Sequence, residues 1–435
     1  MRRNVCVSTV LSAVLSVVLF ASCNDRDNSV NKETEDIEGK IAIEKMAERE
    51  RSSAESMAWV KAENEKQRGA RALSNKFQEH FRDNTIPEDE YPENIIYPEY
   101  YAGDWINQED KENRRWIVAV KGDTAVIRKS VAKIIGSNNF IIKSVTYSYK
   151  DLGELLQYIN KRIHEDKNKE IYDNMSVWGI DTELNGISIG IKDCSEKRIS
   201  EFKENIIDHP TLIFEQREFS DGLEEVPISK SMPPFSFLDQ NTYNLYPGEE
   251  IKTARNGKWV YSSIGYRAKQ TGRGGKEGLV VSGHGVVTGE IIYDKNSKAM
   301  GKCEKWSPSG DSESSFCTLY SDYVPSNTIY YGSGKTLSVN TYEPQKGNHI
   351  NKSGKSTNVT GGQITDINKQ INYKDKEYLV VQAKYASAAG DSGGIVYTDD
   401  GKTAGIHLAS DANDSSLSYY IKANNINKAL AVERY

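Results

Sequence analysis

A five-residue turn, Gly390–Gly394 with the sequence GDSGG, constrains this chain more than any other feature. Its small residues allow the backbone to bend sharply and to present the hydroxyl of Ser392. The same bend directs the backbone N–H groups of Gly390 and Ser392 toward one point, where they can stabilise an oxyanion. A serine hydroxyl is a weak nucleophile unless a neighbouring base takes its proton. The turn therefore predicts a fold that brings such a base to Ser392.

Histidine is the usual base in such a pair, because its pKa lies near neutral pH. Of the six histidines, only His284 follows a run of buried-looking residues (Leu279–Val281) and lies between small residues. The others lie in the N-terminal half, in a polar loop or after the serine: His80, His164, His209, His349 and His407. His284 is the predicted base, and a core histidine without a chemical role is the alternative.

Several further motifs occur in a fixed order around these residues. They are YPGEEI at Tyr246–Ile251, SGHG at Ser282–Gly285, KSGKSTNVTGG at Lys352–Gly362, GDSGG, and TAGIHLAS at Thr403–Ser410. This order resembles the chymotrypsin-like serine peptidases, in particular the bacterial branch of alpha-lytic protease and the streptogrisins. The resemblance covers about the last 190 residues and implies two facing antiparallel six-stranded β-barrels. It also implies an endopeptidase that uses Ser392, His284 and an acid, with peptides or proteins as substrates and no cofactor.

The acid of this set departs from the family pattern. Alignment of the strand that contains Phe316 places Glu313 at the position where the family has an aspartate. Glutamate is one methylene longer, and a misplacement of about 1 Å can reduce the rate on the order of 100-fold. Asp311 and Asp322 are the alternatives, with Glu313 then a solvated loop charge.

The strand after the serine turn forms one wall of the primary specificity pocket in this family. His407 on that strand resembles the glutamate-specific members, and its imidazole can donate a hydrogen bond to a substrate carboxylate. Small neighbours such as Ala409 leave room for the substrate side chain. The resemblance therefore implies a preference for acidic residues on the acyl side of the cut bond. The alternative is that His407 only packs in the pocket wall.

Composition sets outer limits on domains and partners. A chain of 435 residues is too long for one small core, so two or three domains are expected. The formal net charge is −6, and no basic cluster indicates nucleic-acid binding. The 25 tyrosines suit β-rich structure. Cysteine and histidine show no metal-ligand spacing, so no metal site is predicted.

The first 22 residues are predicted to be a lipoprotein signal peptide. Arg2 and Arg3 precede an apolar stretch that is too short to span a membrane comfortably. The stretch ends in Leu19–Cys23, which resembles a bacterial lipobox with Cys23 as the lipidated residue. We therefore expect an exported protein that is anchored to a bacterial membrane, on the periplasmic side or at the cell surface. A plain secretory signal or an anchor helix is the alternative.

Export also permits disulfide bonds. Cys303 and Cys317 bracket the acid segment, and either a disulfide bond or two buried thiols fits the sequence.

Two regions precede the predicted barrels. Residues 23–89 are charged and helix-prone, which predicts a solvent-exposed or disordered tether. Residues 90–236 predict a small α/β domain, with a strand at Trp116–Val120 and a capping box at Ser148 that opens a helix. This strand and helix order resembles the pro-region of the same bacterial branch, which implies a zymogen whose cleft is blocked until the chain is cut. An ordinary accessory domain is the alternative.

The remaining residues, 237–435, are predicted to form the protease-like double barrel with a C-terminal helix. The linker at 232–245 contains two prolines and no regular periodicity, which predicts a processing cut there. A different class of function stays open: a protease-like domain that has lost activity and binds peptides at the cell surface.

Overall fold

A computed structural model describes residues 29–86, 95–110, 114–220, 222–228, 242–332 and 334–435. The predicted signal peptide, Cys23 and most of the predicted processing linker lie outside these residues. The chain divides into two compact units, Met1–Ser52 and Ser53–Tyr435. The long helix α1, Ser29–His80, begins in the first unit, and everything described below belongs to the second.

Helix α1 is not a simple exposed tether from Ser53 onward. Its buried side chains recur at helical spacing: Ser53, Val60, Gln67, Ala70 and Phe77. Because polar residues alternate with apolar ones along this stripe, the sequence shows little apolar periodicity. In the part of the chain that the structure describes, no helix is both long and apolar enough to cross a bilayer.

Two small α/β layers follow α1. The first contains β1 (Tyr101–Ile106), β2 (Trp116–Val120), α2 (Thr124–Ile135) and β3 (Phe140–Ser144). Strands β1 and β2 are antiparallel, and β3 joins β2 in parallel after the helical crossover. Phe77 of α1 packs its ring against Tyr101 and Trp116, so the helix belongs to this core.

The second layer begins with the predicted capping box. The Ser148 hydroxyl accepts the N–H of Asp151, and the Asp151 carboxylate accepts the N–H of Ser148, as expected. The elements are α3 (Tyr149–Ile163), a 3₁₀ turn (Asp166–Asn168), α4 (Lys169–Asn174), β4 (Met175–Asp181), β5 (Gly186–Ile191), α5 (Glu196–Asn205) and β6 (Leu212–Gln216). The three strands form one sheet in the order β4-β5-β6.

The first β-barrel is preceded by two short strands, β7 (Glu224–Pro227) and β8 (Tyr243–Leu245). Its six strands are β9 (Glu250–Arg255), β10 (Lys258–Gln270), β11 (Glu277–Ser282), β12 (Ile291–Tyr293), β13 (Ala299–Ser309) and β14 (Ser312–Leu319). The antiparallel order β11-β14-β13-β12-β9-β10 closes because β10 also pairs with β11. A further short strand, β15 (Tyr323–Pro325), pairs with β8.

The second barrel closes in the same way, because β16 pairs with both β19 and β17. Its strands are β16 (His349–Gly354), β17 (Asn358–Tyr373), β18 (Lys376–Lys384), β19 (Ile395–Tyr397), β20 (Thr403–Ser410) and β21 (Leu417–Lys422). The chain ends with α6 (Ala423–Leu430) and β22 (Val432–Glu433). Strand β17 also pairs with β4, so the α/β sheet continues into this barrel. The predicted mainly β fold with two antiparallel six-stranded barrels is confirmed.

Candidate active site

The serine turn lies between β18 and β19, at the junction of the two barrels. Gly390 and Gly393 have φ angles of +94° and +84°, which side chains rarely adopt, so the turn requires glycine at both positions. The N–H of Ser263 in the first barrel donates to the carbonyl of Ser392 at 2.9 Å. The N–H of Gly393 donates to the carbonyl of His407 at 2.8 Å. Both barrels therefore hold the turn in place.

The predicted histidine and serine meet at this junction. His284 follows the end of β11, and its Nε2 lies 3.0 Å from Ser392 Oγ. Its other nitrogen, Nδ1, lies 3.0 Å from Oε2 of Glu313 on the adjacent strand β14. The Glu313 side chain is buried, and its Oε2 also accepts the backbone N–H of Gly283 at 3.1 Å. A buried carboxylate in this position orients the imidazole and stabilises its protonated form.

Neither alternative acid occupies this position. Asp311 is exposed in the turn before β14, and Asp322 forms an ion pair with Lys298 at 2.9 Å. The longer Glu313 side chain fits because residue 283 is glycine. A Cβ at Gly283 would lie 2.8 Å from Glu313 Oε1 and 3.0 Å from Trp306 Nε1. The missing side chain therefore accommodates the extra methylene of the acid.

A buried ion pair stabilises the serine turn. Lys352 Nζ lies 2.9 Å from Asp391 Oδ2, and both side chains are fully buried. Asp391 also accepts the backbone N–H groups of Ser356 and Thr357 and the Thr357 hydroxyl. Burial alone would raise the pKa of Asp391, but Lys352 and the hydrogen bond from the Thr357 hydroxyl lower it to about 2. Asp391 is therefore held as a carboxylate next to the nucleophile.

The two predicted pocket residues, His407 and Ala409, are both buried on β20. Nδ1 of His407 lies 3.0 Å from the hydroxyl of Tyr385. Burial lowers the pKa of His407 to about 3, with nearby Lys352 acting in the same direction. The imidazole is therefore neutral at working pH, and the protonated donor considered from the sequence is disfavoured here.

The chain itself passes through the site. The N–H of Ser220 donates to the carbonyl of Ser410 at 3.0 Å, and that of Ala412 donates to the carbonyl of Glu218 at 2.7 Å. Two residues after Ser220, the carbonyl oxygen of Gly222 accepts the N–H of Gly390 at 3.1 Å and lies 2.8 Å from Ser392 Oγ. Strand β7 then leaves along β10 of the first barrel. We call residues 217–220 and 222–228 the strap.

Sequence reasoning did not identify the strap or the role of Lys352. Lys352 opens the KSGKST motif, so a lysine next to an aspartate-containing serine turn was the available signal. The strap gives no such signal, because its sequence is charged and short. Cys303 and Cys317 lie directly opposite each other on β13 and β14 as buried free thiols.

Comparison with known proteins identifies the region before the barrels. Residues 56–145 match the family model of the Pro-like N-terminal domain, and residues 150–217 match that of the Pro-like C-terminal domain. The chain carries the pro-region of alpha-lytic-protease-like proteases. This confirms the family resemblance drawn from the sequence. The match of the Pro-like region begins inside α1, at residue 56, and includes the buried residues of that helix from Val60 to Phe77.

Several solved structures similar to the chain are proteases. Thermobifida fusca Protease A is 18% identical and the similarity covers 44% of this chain and 98% of that one, with a TM-score of 0.38. An alpha-lytic protease homolog, N4, is 17% identical over 44% and 99% of the two chains, with a TM-score of 0.37. A glutamic acid specific serine protease that uses a histidine triad in substrate binding is 22% identical over 44% and 100%, with a TM-score of 0.38. No curated protein matches the sequence.

Proposed function

We propose that the chain is the precursor of an exported serine endopeptidase. The observation that carries this proposal is the unbroken series of contacts from Glu313 through His284 to Ser392, with the N–H of Gly390 beside it. Ser392 Oγ attacks the substrate carbonyl while His284 Nε2 takes its proton. Glu313 stabilises the imidazolium, and the N–H groups of Gly390 and Ser392 stabilise the oxyanion.

The same residues complete the reaction. His284 returns the proton to the leaving amine, which departs and leaves an acyl group on Ser392. A water molecule then gives a proton to His284 and attacks the acyl carbon, which releases the acid and regenerates the serine hydroxyl. No cofactor takes part in these steps.

The first substrate we propose is the strap. Residues 218–220 pair with the backbone of residues 410–412, the Gly222 carbonyl accepts the N–H of Gly390, and β7 pairs with β10 of the first barrel. We propose Gly222–Leu223 as the scissile bond, because the Gly222 carbonyl oxygen also lies 2.8 Å from Ser392 Oγ. Hydrolysis there creates a carboxyl terminus at Gly222 and an amino terminus at Leu223. The cut predicted at 232–245 stays a separate prediction.

The proposed setting is a bacterial envelope, with Cys23 lipidated after removal of the signal peptide. The strap keeps the site occupied until it is cut, and the cut separates the barrels from the membrane anchor. The substrates proposed for the mature enzyme are proteins and peptides with an acidic residue on the acyl side, next to His407. The strap, with Gly222 on the acyl side, does not use this preference, because backbone hydrogen bonds within the same chain hold it in the site. A catalytically impaired peptide-binding module is less well supported, because an irregular acid was its main argument and Glu313 contacts His284.

The test is covalent labelling of the full chain with a fluorophosphonate, together with peptide hydrolysis. The parent protein should be labelled at Ser392 and should hydrolyse casein, whereas Ser392→Ala should do neither and should keep its fold. Because the strap covers Ser392, labelling should increase as Gly222–Leu223 is cut. Equal hydrolysis by the parent and Ser392→Ala would refute the proposal.

A further inference from the structure

Tyr385 approaches the predicted pocket histidine from the interior of the second barrel. Its hydroxyl lies 3.0 Å from Nδ1 of His407, and both side chains are almost completely buried. His407 is fixed next to the nucleophile by its main chain, since its N–H donates to Gly394 and its carbonyl accepts the N–H of Gly393, each at 2.8 Å. Only the imidazole protons are left to be assigned.

A proton count assigns them. A buried phenol is more stable when its O–H has an acceptor, and among the described residues only His407 Nδ1 is within hydrogen-bonding distance of that hydroxyl. If Nδ1 carried the proton, it would donate to the phenol oxygen and the phenol O–H would be left without an acceptor among these residues. The phenol therefore donates to Nδ1, and the proton of the neutral imidazole lies on Nε2.

The surroundings favour the same state. The titratable and charged groups that influence His407 are Lys352, Asp391, His284 and Tyr385. Lys352 and His284 oppose a positive charge on the ring, and the Asp391 carboxylate is already neutralised by Lys352. Burial raises the pKa of Tyr385 well above its ordinary range, so the phenol keeps its proton.

Three serine hydroxyls near β20 form a chain of hydrogen bonds in which every donor points the same way. Ser418 Oγ donates to the Tyr385 carbonyl at 2.8 Å. Ser387 Oγ must then donate to Ser418, at 2.7 Å, and Ser410 Oγ must donate to Ser387, at 2.6 Å. Ser410 is the open end of this chain, so its O–H can turn to a substrate without leaving another donor unpaired.

We propose that Tyr385 is a positioning residue that fixes His407 as a neutral Nε2–H donor, so that the specificity pocket selects an acyl-side residue with a hydrogen-bond acceptor. This deepens the proposed function and rests on it. The pocket offers two neutral donors, the imidazole Nε2–H and the Ser410 hydroxyl. It suits the carboxylate of glutamate and accepts the amide oxygen of glutamine, whereas lysine and arginine side chains have no acceptor to offer it.

The kinetic test compares Tyr385→Phe with Tyr420→Phe. Tyr420 is a matched control, because it is fully buried on the neighbouring strand and its hydroxyl has no hydrogen-bond partner. Two peptides that differ only in glutamate or alanine on the acyl side are compared through the ratio of their kcat/KM values at pH 6 and pH 8. In the parent and in Tyr420→Phe the ratio should be the same at both pH values. In Tyr385→Phe it should fall about tenfold at both pH values, because the phenol no longer fixes the proton on Nε2 while burial keeps the ring neutral.

A second readout does not depend on activity. Histidine ¹⁵N NMR of the full chain carrying Ser392→Ala should show His407 as the Nε2–H tautomer without titration between pH 5 and 8. Adding Tyr385→Phe should make the neutral ring populate both tautomers. An Nδ1–H tautomer in the first protein would overturn the proposal, and so would an unchanged glutamate preference in an active Tyr385→Phe enzyme. Absence of Ser392-dependent hydrolysis in the parent would instead refute the proposed function, and the NMR result would still decide the tautomer.

Discussion

The catalytic junction and the contact between α1 and the second barrel both contain a largely buried histidine, but they surround it differently. At the junction, His284 lies between a carboxylate and a hydroxyl, each about 3 Å away. At the helix contact, His349 Nδ1 faces the side-chain amide of Gln67 at 3.2 Å, and Trp59 packs edge-on at 5.0 Å between ring centres. Asn64 bonds to both the N–H and the carbonyl of His349.

The two histidines differ in the charged groups that surround them. Burial lowers the pKa of His349 from 6.5 to about 4, and only Glu63 opposes this while Arg114, Arg71 and Lys66 add to it. No carboxylate contacts that ring in the part of the chain described. A carboxylate in contact with the ring makes an imidazole suitable for proton transfer. Without such a carboxylate at His349, the contact between α1 and the second barrel is sensitive to acid.

The contrast between the two histidines depends on Glu313, which is expected to stabilise the positive charge that His284 gains during the reaction. Glu313→Gln should lower kcat about 10⁴-fold, as the equivalent change does in another enzyme with such a triad, because the amide cannot stabilise the imidazolium. Steady-state hydrolysis of a peptide measures this, with Asp311→Asn as the control that should leave kcat unchanged. The reverse pattern would place the acid at Asp311.

A second substitution displaces the Glu313 carboxylate without removing its charge. Gly283→Ala introduces a Cβ 2.8 Å from Glu313 Oε1, so the acid must shift by a few tenths of an ångström or more. We expect kcat to fall about 100-fold with KM little changed, since misplaced groups lose most of their effect. Gly289→Ala is a control for the loss of a glycine, because a Cβ there meets nothing within 4 Å. Because Gly289 has a left-handed φ of +90°, Gly289→Ala also adds backbone strain, which Gly283→Ala does not. The control is therefore the more demanding substitution for the backbone. Wild-type kcat in Gly283→Ala would show that the junction tolerates a displaced acid.

The helix contact should weaken in acid. The pKa of His349 in the folded protein lies below its ordinary value, so the state in which α1 has left the barrel binds more protons. The contact therefore weakens as pH falls from 6.5 toward 4. Between pH 8 and pH 5 the loss should be about 2 kcal/mol, or roughly 30-fold in the opening equilibrium. Hydrogen exchange of residues 53–80 in the full chain, corrected for intrinsic rates, measures it. His349→Gln should remove this dependence, whereas His80→Gln, at the exposed end of α1, should retain it.

The parts of the molecule that were predictable from sequence are those with local or periodic signals. The family resemblance carried by the ordered motifs implied the two barrels, and the capping box at Ser148 fixed the start of α3. The motif residues His284 and Ser392 followed from the order of the motifs. The choice between Glu313 and Asp311 could not be made, because it depends on how β14 pairs with β11.

Contacts between polar residues far apart in the chain were beyond sequence reasoning. Asn64 and His349 are separated by 285 positions, and the pair Lys352 and Asp391 has no periodic pattern that links its members. The strap was missed for the same reason: its backbone, rather than its side chains, makes the contacts with Gly390 and Ser410. Backbone pairing of this kind depends on the assembled barrels and leaves little trace in the residue types.

The most direct measurement is the amino-terminal sequence and mass of the fragments that the full chain produces on its own. The parent should yield a fragment that begins at Leu223 and a partner that ends at Gly222, at a rate independent of protein concentration because the strap lies in its own site. Ser392→Ala should remain intact at that bond under the same conditions. A parent chain that hydrolyses peptides while Gly222–Leu223 stays whole would contradict the account, as would cleavage of that bond in Ser392→Ala.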